Sequence, residues 1–258
     1  MTNAPRIASF RERLRRGERL VGTFVKTPHP HVVELLALSP LDCLCLDAEH
    51  APFDRRDLDL CILAARAADM PVIVRVPNAA ADTLLDALDM GATGVLAPHV
   101  ASAAAAQLLA DACRYGGAHG RGYAGSTRAA RYTTTPMREH IERANREVTV
   151  IAQIEDAAAV EQIEAIAAVD GIDALFVGRM DLTVSLGAPG PDDPRVVAAV
   201  RRVCEVAGRQ GRAVGMFTPT TAEARDWIQS GASFFLLQSD QQWLLQGARA
   251  LAAELQRG

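Results

Sequence analysis

The chain has 258 residues, of which 49% are hydrophobic, enough to build one large core. Its 27 basic and 31 acidic side chains leave a net charge of −4, and only 5% of residues are aromatic, so neither an electrostatic footprint nor a stacking platform for nucleic acid is expected. No apolar run reaches the roughly 18 residues of a membrane span, and the Arg-rich first residues lack the apolar stretch of a secretory signal.

Cys43, Cys45, Cys61, Cys113 and Cys204 have neither zinc-ribbon nor CxxC spacing. They are expected to be reduced, buried thiols in a cytoplasmic protein.

Residues 6–17 read as a polar helix whose Arg11–Arg19 cluster is expected to face solvent or another subunit. A strand–helix rhythm follows. Leu20–Lys26 is a strand, Pro30–Leu38 a helix, and Asp42–Asp47 a strand of the continuous apolar kind found in parallel sheets. Asp54 suits the cap of a helix over 54–68. Pro71–Val76 is a strand, Ala80–Met90 a helix with Gly91 as its stop, Gly94–Ala97 a strand and Ala101–Arg114 a helix.

The rhythm breaks at 119–136, a Gly- and Thr-rich stretch; the loop over 116–131 is expected to close over a binding site, with Ser126 as a substrate contact and Arg121 and Arg128 as further candidates, or else to be a surface connection. It resumes with a short helix over 137–145, a strand over 148–154 and a helix over 157–169. Next come a strand over 172–177, the helix Pro194–Gln210, a strand over 213–217, a helix over 221–230, a strand over 233–237 and a last helix over 241–255.

Eight strands alternating with helices at this length predict an α/β fold, a single (β/α)8 TIM barrel over 1–258 with an extra N-terminal helix. A doubly wound sheet is the alternative, but no G-x-G-x-x-G follows the first strand.

In a barrel the carboxyl ends of the strands converge on one mouth. The mouth would receive Lys26; Asp47, Glu49 and His50; Arg75; Gln153 and Glu155; Asp181; and Ser239 with Asp240. Glu155 and Asp181 end neighbouring strands, and two carboxylates suit a hard divalent cation, Mg²⁺ or Mn²⁺ with Co²⁺ a further option. His50 is the candidate proton carrier, with Asp47 placed to orient its ring. Arg75, alone on a Val/Ile strand, suits a carboxylate or phosphate, or an ion pair with Glu49. Phe217 is expected to form the apolar side of an aldehyde pocket.

A cation, an arginine and a histidine base together fit metal-assisted aldol chemistry on a 2-oxo acid. Lys26 is the sole lysine, so a Schiff-base aldolase would have one candidate nucleophile. A CoA-ester carbon–carbon lyase and a non-catalytic dicarboxylate-binding barrel are the other readings.

The segments Asp47-Ala48-Glu49-His50-Ala51-Pro52, Val74-Arg75-Val76, Gly120-Arg121-Gly122, Gln153-Ile154-Glu155 and Gly178-x-x-Asp181-Leu182 resemble the HpcH/HpaI aldolase family of metal-dependent pyruvate aldolases. The resemblance runs over nearly the whole chain. It implies cleavage of a 4-hydroxy-2-oxo acid to pyruvate and an aldehyde, Glu155 and Asp181 as metal ligands, and His50 as base supported by Asp47. It also implies Arg75 and Gln153 at the pyruvoyl group beside Gly178, and a hexamer with the last helix exchanged between subunits. Arg179 departs from the proline common after that glycine, and is expected to meet an anionic substrate group or a neighbouring subunit.

Overall fold

A computed structural model describes residues 5–117 and 119–256. Eight parallel strands close into a barrel in chain order. They are β1 (Leu20–Val25), β2 (Cys43–Asp47), β3 (Val72–Arg75), β4 (Gly94–Ala97), β5 (Thr149–Ile154), β6 (Ala174–Val177), β7 (Ala213–Thr218) and β8 (Phe234–Ser239). The helices are α1 (Arg6–Arg15), α2 (Pro30–Ala37), α3 (Arg55–Ala67), α4 (Ala81–Asp89), α5 (Ala103–Cys113), α6 (Met137–Glu147), α7 (Ala157–Glu161), α8 (Ile163–Ala167), α9 (Arg179–Ser185), α10 (Pro194–Arg209), α11 (Thr221–Ile228) and α12 (Asp240–Gln256).

The sequence rhythm therefore describes a TIM barrel, with local differences. The helix expected over 157–169 is interrupted at Gln162, whose backbone (φ −98°, ψ 11°) leaves the helical region. Asp181, expected at the end of a strand, lies in the first turn of a helix, α9.

Each strand is buried on both faces, which explains the continuous apolar runs. Cys43 and Cys45, Ile73, Ile151, Phe176, Phe234 and Leu236 fill the barrel interior, whereas Leu44, Leu46, Val72, Val74 and Val150 pack outward against the helices. The Asp54–Asp57 capping box starts α3 as expected. All five cysteines are free and buried. Burial pushes the Cys204 thiol up to about 11 and Cys61 and Cys113 to about 12, so these are poor nucleophiles at neutral pH.

The Arg11–Arg19 cluster divides: Arg15, Arg16 and Arg19 are exposed, as expected, while Arg11 and Arg13 turn inward. Phe10 and Leu14 insert into the amino end of the barrel, Phe10 edge-on to Phe234 at 6.3 Å. This brings Arg11 within 2.8 Å of buried Asp173 and Arg13 within 2.7 Å of Asp42. Asp173 also pairs with Arg114 at 3.0 Å and accepts the Val150 N–H at 2.9 Å, joining α1, α5 and β5.

The 116–136 stretch takes the surface alternative. It joins α5 to α6, on the return path to β5 that starts away from the strand carboxyl ends. Arg128 is held by Asp59 on α3 and by the Met90 carbonyl just after α4, and Arg121 pairs with Asp89. The stretch thus lies along the outside of the barrel, and exposed Ser126 goes with it.

Asp173→Ala should cost about 3–5 kcal/mol, because Arg11 and Arg114 would be left mostly buried without a counter-charge. Urea denaturation measures this, and a loss below about 1 kcal/mol would show the cluster to be dispensable.

Candidate active site

Most of the site follows from strand alternation. On β2, Cys43 and Cys45 face the interior, so Asp47 does too; on β3, Ile73 is followed inward by Arg75; on β5, Ile151 is followed by Gln153 and then Glu155. Each strand ends by replacing an interior apolar residue with a polar one.

Asp47 and Arg75 are also register partners on β2 and β3. Arg75 Nε donates to Asp47 Oδ1 at 3.0 Å, its Nη2 lies 2.8 Å from Oδ2, and its Nη1 lies 3.3 Å from Glu49. The guanidinium sits over the Phe24 ring at 4.6 Å, and Phe24 meets Phe217 at 6.1 Å. Phe217 thus lies beside the site on its apolar flank. Lys26 Nζ reaches Asp47 Oδ2 at 3.1 Å. Burial alone would push the Asp47 carboxyl up, but Arg75, the His50 N–H and Lys26 together hold it below the usual carboxylate range.

Asp47 positions His50 through the backbone rather than the ring: it accepts the His50 N–H at 3.1 Å. Three residues along a turn, the imidazole has swung outward, and its Nε2 lies 3.7 Å from Glu49 Oε2. The ring is half exposed, open to a molecule entering the mouth.

Glu155 is 1% exposed. Burial pushes its carboxyl up, opposed by hydrogen bonds from the His99 N–H and the Gln153 amide. Gly178 makes room for it, since a Cβ there would stand 2.5 Å from Glu155 Oε2 and 3.0 Å from Gln153 Nε2. Gln153 Oε1 is buried with no donor from the described residues, leaving acceptor capacity at the mouth.

His99 is a site residue that sequence reasoning missed. It follows β4 with φ 53°, and its Nδ1 lies 3.4 Å from Glu155 and 3.2 Å from Asp156. Burial would lower its pKa, but the Asp156 and Glu155 carboxylates outweigh that and raise it. Glu49, His99 and Glu155 offer ligand atoms within 4.8 Å of one another, a group that could hold a metal ion. Two carboxylates and an imidazole suit Mn²⁺ or Co²⁺ as well as Mg²⁺. Asp181 lies outside this group, exposed in the first turn of α9.

Arg179 points elsewhere. Its guanidinium pairs with Glu223 on α11, sits 5.2 Å from the Trp227 ring and lies 3.7 Å from Asp192, so it joins α9 to α11. Ser126 is not gathered to the cluster either.

A TIM barrel whose strand ends gather carboxylates, imidazoles and one buried arginine has the form of an enzyme acting on small anionic molecules. The family model for HpcH/HpaI aldolase/citrate lyase matches residues 20–246, and the chain belongs to that family. It is 36% identical over 252 residues to a 4-hydroxy-2-oxovalerate aldolase of Rhodococcus jostii, covering 96% of this chain and 95% of the relative. It is 34% identical over 253 residues to a hydroxypyruvate/pyruvate aldolase of Paraburkholderia phytofirmans, covering 95% and 96%. A crystal structure of an HpcH/HpaI aldolase/citrate lyase family protein from Burkholderia cenocepacia superposes with a TM-score of 0.91 at 35% identity, over 96% of this chain and 99% of that one. The chain is accordingly a carbon–carbon lyase.

Gly178→Ala should displace Glu155, lowering lyase turnover about a hundredfold and stability by about 1–3 kcal/mol. Turnover within about twofold of wild type would show that the close approach does not matter.

Proposed function

We propose that this lyase is a divalent-metal-dependent (class II) pyruvate aldolase that cleaves a 4-hydroxy-2-oxo acid reversibly to pyruvate and an aldehyde. The observation that carries the reading is the joint presence, at one barrel mouth, of buried Glu155, the Arg75–Asp47 pair and solvent-facing His50. The relatives named as aldolases support the substrate class.

Glu155 and Asp181 are the proposed protein ligands, Asp181 entering from α9 one helical turn past Gly178, with Glu49 and His99 bordering the same space. A divalent cation held there supplies Lewis acidity toward the 2-oxo acid and offsets charge that develops on its oxygens.

The chain's own residues do the rest. Arg75, immobilised by Asp47, offers its remaining N–H groups to the 2-oxo oxygen as negative charge grows there. Gln153 orients the pyruvoyl group through its amide. His50 removes the C4 hydroxyl proton; the C3–C4 bond then breaks, releasing the aldehyde and leaving the bonding electrons on the pyruvate enolate, which takes a proton at C3. The Phe217 and Phe24 rings flank the aldehyde side.

Lys26 is engaged with Asp47 as an ion-pair partner, which favours this reading over a Schiff base. Arg179, paired with Glu223, acts in the fold rather than on substrate, and Ser126 is assigned no contact within its own subunit. We also read the chain as one cytoplasmic domain that assembles as a homo-oligomer, a hexamer by family resemblance. The exposed Leu244, Leu245, Leu251 and Leu255 of α12 support a helix covered by another copy.

Pyruvate release from a panel of 4-hydroxy-2-oxo acids tests the function. His50→Ala should lower kcat about a hundredfold or more with pyruvate binding retained. Unchanged turnover would remove His50 from the mechanism. The ligand assignment has its own test in Mn²⁺ titration. Asp181→Ala should weaken Mn²⁺ binding at least about tenfold, more than His99→Ala does. The reverse order would assign the metal to Glu49, His99 and Glu155.

A further inference from the structure

We propose that the barrel carries a second anion site, for a small phosphoryl-bearing molecule, at the end opposite the mouth. A cleft of about 340 Å³ opens there. Three of its lining residues fix its position: Asp69, Thr93 and Val148 each stand just before β3, β4 or β5. The cleft therefore sits at the amino ends of these strands, whereas Glu155, Arg75 and His50 sit at or beyond the carboxyl ends.

Its chemistry is that of an oxyanion receptor. Arg66 from α3, Arg121 and Arg131 from the α5–α6 connection, and Arg143 from α6 all line it. Among the described residues, no carboxylate pairs with Arg66, Arg131 or Arg143. Arg66 donates to the Gly91 carbonyl at 3.2 Å and Arg143 to the Ala129 carbonyl at 2.9 Å. Only Arg121 has a carboxylate partner, Asp89; its side chain is 1% exposed and its Nε is buried without an acceptor.

The two acids on the lining are already engaged. Asp69 accepts the Arg6 and Ile7 N–H groups at 2.7 and 3.2 Å, and Glu147 pairs with Arg146 at 3.3 Å. Burial and then the positive charges of Arg128, Arg131 and Arg143 depress the Arg66 pKa, with Glu147 opposing, so the cations repel one another across the cleft.

Several guanidinium groups brought together from three chain segments, with spare N–H donors and no internal counter-ion for most of them, suit a phosphoryl group, whose three acceptor oxygens and larger negative charge engage more donors than one carboxylate does. The volume admits a phosphate ester of metabolite size.

The backbone fits this use. Arg131, Tyr132 and Thr133 all have positive φ, 55°, 51° and 68°, a left-handed turn of three non-glycine residues. It is closed by the Thr133 N–H to Gly125 carbonyl bond at 2.7 Å and the Tyr132 N–H to Thr127 carbonyl bond at 3.0 Å. Such a turn is costly and holds Arg131 at the rim of the cleft.

Isothermal titration of the full-length protein with inorganic phosphate tests the site. Wild type and Glu155→Gln, which alters the mouth alone, should bind equally. Arg131→Ala and Arg143→Gln should each weaken binding about tenfold or more. Arg131 is exposed, so its variant keeps the test open if replacing Arg66, which supports the Gly91 carbonyl, unfolds the chain. Malonate should bind less tightly than phosphate. The proposal is overturned if phosphate does not bind, if binding disappears in Glu155→Gln yet survives in Arg131→Ala, or if malonate binds as well.

Discussion

The ion pair between Asp47 and Arg75 is the interaction around which the mouth is organised. The two residues are register partners on neighbouring strands, so strand pairing itself brings them together. Both are buried, and neither charge would be tolerable alone at that depth. Paired, they form a rigid platform that other groups use. Glu49 attaches to the free side of the guanidinium, Phe24 lies beneath it, Lys26 closes the second carboxylate oxygen, and the His50 backbone hangs from the first. His50 is thereby held by its main chain while its ring stays open to a molecule at the mouth.

The second constraint is spatial. Glu155 is buried in a place that raises its pKa, so its carboxylate gains from a nearby cation. It occupies that place only because position 178 has no side chain to obstruct it. Buried acid, crowding glycine and amide donor come from two adjacent strands, β5 and β6, while the arginine and its acid come from β2 and β3. The barrel's contribution to chemistry is to join these two pairs across one mouth.

Much of this could be read from the sequence because interior alternation and chemistry coincide. Cys43, Cys45, Asp47 and Ile151, Gln153, Glu155 are period-two series whose last members are polar, and no packing argument explains a charge at such a position. His99 escaped because β4 is short and its exit, Pro98-His99, leaves the alternation at a positive φ. Its signal would have been an imidazole directly following a buried strand.

Arg11 and Arg13 of α1 and the 116–136 stretch lie where their own sequence does not place them, for a common reason. Their partners, Asp173, Asp42, Asp59 and Asp89, are distant in sequence, and one sequence does not reveal such pairings. The place of Arg179 after the Gly178 motif suggests an anionic substrate group or a neighbouring subunit, but helix α9 carries it to Glu223 and Trp227 of its own chain. Topology decided the position of the 116–136 stretch: a long loop after a helix in a barrel lies on the return path, whatever its glycine content.

The decisive question for this lyase is whether cleavage depends on a divalent cation at Glu155 or on the amine of Lys26. Pyruvate release should be measured for the wild type and for Lys26→Met after treatment with EDTA, with Mg²⁺, Mn²⁺ or Co²⁺ then returned. Loss on chelation, recovery with added metal and metal-dependent turnover in Lys26→Met are the results expected. Turnover indifferent to EDTA and abolished in Lys26→Met would contradict the metal mechanism and move the chemistry to the lysine.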